Sequence, residues 1–131
     1  MPIGQTPVGQ QQLIDGDFVN GITQGHNMVA QNGLTAIGTN QATSLQLADR
    51  IAMFSVDTSS ASTGVALPAA LAGVSIFVAN NTANNISAFP SIANNPVTSA
   101  QDTINNTTSA TINAHTGTAF TCAKNGTWYT N

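Results

Sequence analysis

The chain has 131 residues, of which only 5% are charged and 41% hydrophobic, with a formal net charge of −3. Glu is absent, and five Asp face one Arg (Arg50) and one Lys (Lys124). Two cations cannot neutralise a row of phosphates, which excludes nucleic-acid binding by counterion release, and so few carboxylates leave little material for a paired acid–base site.

Polarity comes instead from 15 Asn, 9 Gln, 10 Ser and 18 Thr. The hydrophobic share is too high, and the net charge too low, for disorder by charge repulsion. Met1 to Gln5 carries neither the basic nor the apolar region of a secretory signal. The single cysteine, Cys122, has no internal partner. Both features predict synthesis in a reducing cytoplasm, with Cys122 a small buried hydrophobe.

Residues 1–33 are rich in Gln and Gly, and their apolar residues fall in small clusters without a helical or alternating period. This predicts an extended N-terminal arm whose anchors, Leu13, Ile14, Phe18, Val19 and Ile22, dock on a partner. The Asp15-Gly16-Asp17 segment lacks the spacing and closing Glu of a calcium loop.

From Leu34 to Asn131 short Thr-, Val-, Ile- and Ala-containing runs alternate with Asn, Gly, Ser and Pro clusters, predicting one all-β domain of seven or eight strands. Ser44–Leu47 alternates, Arg50–Val56 is apolar on both faces, and Val65–Leu67 is a strand stopped by Pro68. Val65 to Ala79 is too short, and too broken by Pro68 and Gly73, to span a membrane as a helix. Pro68–Ala72 could close one helical turn at Gly73. Val74–Ala79 and Ile86–Phe89 read as a hairpin across Asn80–Asn85, with Val97 as a possible edge piece. Ala110, Ile112 and Ala114 alternate with polar residues.

The final hairpin turns at Asn125-Gly126, with positive φ expected at both residues. Pairing Lys124 with Thr127 and Cys122 with Tyr129 puts Phe120, Cys122 and Tyr129 on one face and Trp128 on the other. The expected architecture is a small antiparallel β-sandwich or jelly roll. Its core or subunit interface would comprise Phe54, Val65, Leu67, Ile76, Phe77, Phe120, Trp128 and Tyr129.

Neither His26 nor His115 has partners at metal-ligand spacing, and no nucleophile elbow, phosphate loop or dinucleotide fingerprint occurs. No catalytic residue, metal or cofactor is expected. One ordered series does stand out. It runs through Thr35-Ala36-Ile37-Gly38-Thr39-Asn40-Gln41-Ala42-Thr43, Gly64-Val65-Ala66-Leu67-Pro68-Ala69-Ala70 and Gly73-Val74-Ser75-Ile76-Phe77-Val78-Ala79-Asn80. It ends with Ala88-Phe89-Pro90, Phe120-Thr121-Cys122 and Gly126-Thr127-Trp128-Tyr129. The series resembles the small β-domain of structural proteins from tailed bacteriophages and prophages, most like capsid decoration (cement) or head-fibre proteins.

That resemblance spans Leu34 to Asn131 and leaves the arm outside it. It implies a homotrimer on the outer capsid surface, made in the host cytoplasm, with the major capsid protein as partner and neither nucleic acid nor membrane. A tail-fibre or baseplate module recognising host glycans, with Trp128 or Tyr129 stacking on sugar, is the competing expectation.

Overall fold

The computed structural model describes residues 29–131. The arm anchors Leu13, Ile14, Phe18, Val19 and Ile22, and His26, lie outside the described residues. Within them the chain is all-β, with ten strands, one 3-10 turn at Gln41–Thr43 and no α-helix. The strands are β1 (Ala30–Thr35), β2 (Leu45–Gln46), β3 (Met53–Thr58), β4 (Gly64–Ala66) and β5 (Ser75–Asn80). They continue with β6 (Ile86–Phe89), β7 (Thr103–Ile104), β8 (Ala110–Ile112), β9 (Thr116–Lys124) and β10 (Thr127–Tyr129). The first strand thus begins at Ala30, inside the segment read as arm.

Two sheets form, in the orders β1-β3-β5-β9-β10-β7 and β2-β4-β6-β8. From β1 to β6 the chain changes sheet at every strand. Consequently β1, β3 and β5 stack in parallel in one sheet, and β2, β4 and β6 in the other. These are three coils of a β-solenoid. The register partners Ala30, Met53 and Phe77 lie 23 and then 24 residues apart, one coil each. The remainder reverses direction: β8 runs antiparallel to β6, and β9 antiparallel to β5, before β10 folds back on β9.

The core lies between the sheets. Phe54, Val56, Ile76, Val78, Phe120, Cys122 and Trp128 project from the larger sheet towards Val65, Leu67, Ile86, Ala88 and Ile112. Strict alternation produces this in β5, where Ile76, Val78 and Asn80 are buried while Ser75 and Phe77 are exposed. Asn80 is the polar member of that inner row. Its amide donates to the carbonyls of Asn84 (2.7 Å), Ile112 (3.1 Å) and Asn113 (3.2 Å). Its Oδ1 accepts from the Thr82 amide and hydroxyl. One side chain thereby fixes the corner between sheets.

A second buried polar cluster joins loops. Asp102 accepts from the Ala70 amide and from Asn95 Nδ2, both at 2.8 Å, and Asn95 Nδ2 also donates to the Ala70 carbonyl. Trp128 is fully buried, and its indole N–H donates to the Pro68 carbonyl at 3.1 Å.

Several expectations change. The antiparallel sandwich or jelly roll gives way to parallel winding over the first six strands. The hairpin drawn between Val74–Ala79 and Ile86–Phe89 does not exist, because β5 and β6 belong to different sheets. The Asn80–Asn85 run has the turn chemistry expected, but the buried Asn80 uses it to turn a corner. Pro68–Ala72 forms no helical turn. The Ala70 and Ala72 amides bond instead to the distant side chains of Asp102 and Asn125. Val97 sits exposed in a turn held by Asn95 Oδ1, not in an edge strand.

The terminal hairpin exists, but only Gly126 takes a positive φ (99°). Without the mirror-image turn, the strand twist is matched by an irregularity in pairing. Thr127 faces Lys124, whereas Tyr129 faces Thr121 instead of Cys122. That one-residue slip turns Trp128 inward beside Phe120 and Cys122, and Tyr129 outward.

Candidate assembly surface

Alternation that buries one face of β1, β3, β5 and β9 exposes the other. Along one row across the larger sheet, Ala30 pairs with Met53, Met53 with Phe77, and Phe77 with Ala119. The flanking rows are Ser55, Ala79 and Gly117 on one side, and Ser75, Thr121 and Tyr129 on the other. Met53 is 41% exposed, Phe77 37% and Tyr129 38%. Charges in these four strands are confined to Asp57 and Lys124, towards strand ends. The centre of the face is apolar and hydroxylic.

Phe77 is held there by its neighbour across the sheet. A Cβ at Gly117 would collide with the Phe77 ring, so the missing side chain is what lets the ring lie flat on β9. Gly64 has the same relation to Phe89 on the smaller sheet. In each case an aromatic ring covers a glycine diagonally opposite on the adjacent strand.

Asp57 marks the edge of the face. Its carboxylate accepts from Ser55 Oγ (2.7 Å), the Gly33 amide (2.6 Å) and Asn81 Nδ2 (3.4 Å). The Ser55 hydrogen bond, then that of Gly33, hold its pKa below the ordinary carboxylate value. Just before β1, the Val29 carbonyl accepts from the Ala52 and Met53 amides. Ala52 also lines an open groove of about 440 Å³ whose walls include Ile51, Pro68, Leu71 and Val74.

The eight residues expected in core or interface divide cleanly. Phe54, Val65, Leu67, Ile76, Phe120 and Trp128 are core, while Phe77 and Tyr129 stand on the outer face. Met53 and Ala119 complete that face and were not among the eight. Alternation in Met53-Phe54-Ser55-Val56 sets Met53 opposite Phe54 and Val56, but which of the two faces is outermost was decided only by the neighbouring strands.

Among the described residues, no group of three His, Cys, Asp or Glu could hold a metal ion, and no helix is long and apolar enough to cross a membrane. Cys122 is buried, its Sγ donates to the Lys124 carbonyl (3.0 Å), and burial pushes its thiol pKa up. No family model, curated protein or solved structure matches this chain.

Proposed function

We propose that the protein is a structural component of a phage-type virion, a capsid decoration (cement) protein. It would trimerise and hold the outer face of the major capsid protein lattice against internal pressure. The observation that carries this reading is the uncharged outer face around Met53, Phe77 and Ala119. A monomer leaves these side chains in water. A neighbouring copy would bury them, each Phe or Met contributing about 1.5–3 kcal/mol.

In that role the two facing sheets would act together as one small block, with residues 1–28 as the tether to the capsid. Anchors Leu13, Ile14, Phe18, Val19 and Ile22 would supply the apolar contacts, multiplied by the number of arms. The ordered series resembling phage β-domains supports the same reading. The glycan-adhesion alternative has less beneath it, because of the two rings it would use Trp128 is wholly buried and Tyr129 alone reaches solvent.

The reading is tested by measuring mass in solution and labelling virions. A trimer that becomes a monomer in Phe77→Asp, together with label spread over the head in hundreds of copies, is the expected result. A monomeric wild-type chain, or a handful of copies at the tail, overturns it. Removing residues 1–28, and not 1–33, is the clean arm deletion because β1 begins at Ala30. It should abolish capsid binding and leave the trimer.

A further inference from the structure

An asparagine followed by glycine is the dipeptide most open to attack of the following backbone nitrogen on the side-chain carbonyl, since glycine has no Cβ to obstruct it. Three such pairs occur, and Asn20-Gly21 lies outside the described residues. The other two have opposite surroundings. At Asn125 both reacting groups are tied to one loop: Oδ1 accepts from the Ala72 amide (2.9 Å), and the Gly126 amide donates to the Ala70 carbonyl (2.9 Å).

Asn32 and Gly33 sit instead on an edge strand, β1, at a break in register. Gln31 pairs with Phe54 and Leu34 with Val56, so two residues stand opposite Ser55 alone. Both are exposed, and Gly33 has a φ of 71°. No described residue hydrogen-bonds the Asn32 side chain. Among the described residues one side-chain contact restrains the pair, the 2.6 Å hydrogen bond from the Gly33 amide to the Asp57 carboxylate.

We propose that Asn32 is a site of spontaneous deamidation and that Asp57, by holding the Gly33 amide, sets its rate. In the reaction the Gly33 nitrogen bonds to Asn32 Cγ and loses its proton. The Cγ–Nδ2 bond breaks, and ammonia leaves with that proton, giving a succinimide. Water then opens either carbonyl to yield Asp or isoaspartate. The carboxylate opposes the first step twice over: it must release the N–H, and its negative charge disfavours a developing amide anion beside it. The product places a second acid next to Asp57, and isoaspartate adds a methylene to the main chain within β1.

The test is ageing of the full chain in mildly alkaline buffer, followed by peptide mapping that separates Asn, Asp and isoaspartate at each pair. Conversion at Asn32 should outrun conversion at Asn125, and Asp57→Ala should speed the first several-fold without moving the second. Faster conversion at Asn125, or an unchanged or slower rate at Asn32 in Asp57→Ala, overturns the proposal. Should both sites accelerate together in that variant through loss of fold, Asp57→Asn decides. Its amide oxygen keeps an acceptor for Gly33 while the charge is lost, so a rate at Asn32 between wild type and Asp57→Ala supports the assignment, and a rate as fast as that of Asp57→Ala defeats it.

Discussion

Asn80 shows how one polar residue can specify a corner. It occupies a core position in β5, and every polar atom of its side chain is bonded, to carbonyls on both flanks and to Thr82. Asn80→Ala should lower the urea midpoint by an amount equivalent to about 1–3 kcal/mol, because it leaves buried acceptors unmet. An unchanged midpoint would mean that water replaces the amide without penalty. Cys122 predicts a pH effect. Burial raises its pKa above 9.0, so the folded state favours the neutral thiol. Its contribution is full below the unfolded value and declines as pH rises through the folded one. Wild-type stability should therefore fall more steeply above that value than that of Cys122→Val, in parallel denaturation series. Asp57 acts with the opposite sign: its lowered pKa makes the Ser55 and Gly33 contacts strongest near neutrality and weakest in acid.

At the level of strands, the Asn125-Gly126 hairpin was legible and its register was not. The dipeptide announces a reversal from local chemistry alone. Which residue then opposes Tyr129 depended on a bulge favoured by burying Trp128 against Pro68. The same limit applied to β5 and β6: their extents were readable from alternation, but their separation into two sheets was not. Phe77 and Gly117 supply a test at this scale. Gly117→Ala must displace the ring. The intrinsic gain from Ala over Gly in a strand, at most about 1 kcal/mol, should be lost or reversed in thermal unfolding. Phe77→Ala combined with Gly117→Ala should recover part of that loss. Additive effects would indicate that the two residues do not interact.

Across the whole molecule, parallel stacking makes each coil a neighbour of coils more than twenty residues away. Such non-local pairing favours slow folding, and the expectation is refolding on the millisecond-to-second scale, measurable by stopped-flow Trp128 fluorescence. Microsecond refolding would contradict it. The composition also acquires a location. Charge is nearly absent from β1, β3, β5 and β9, the strands whose outward face carries Met53, Phe77 and Ala119. Loops rich in Asn, Ser and Thr keep the rest wet. Under the proposed decoration role, that outward face is the one a neighbouring copy would cover.

The sequence by itself determined the all-β class, the positions of most strands, the turn at Gly126, the burial of Cys122 and the shortage of ionisable chemistry. Each depends on side-chain period, on turn chemistry or on counting, all of which act within a few residues. Only the tertiary structure decided which strands pair, that six of them wind in parallel between two sheets, and that Phe77 faces out while Trp128 faces in. Those choices depend on groups far apart in the chain. Asn80 meets Ile112, Asp102 meets Ala70, and Trp128 meets Pro68. A period-two pattern says that a strand has two faces; it does not say what will cover either one.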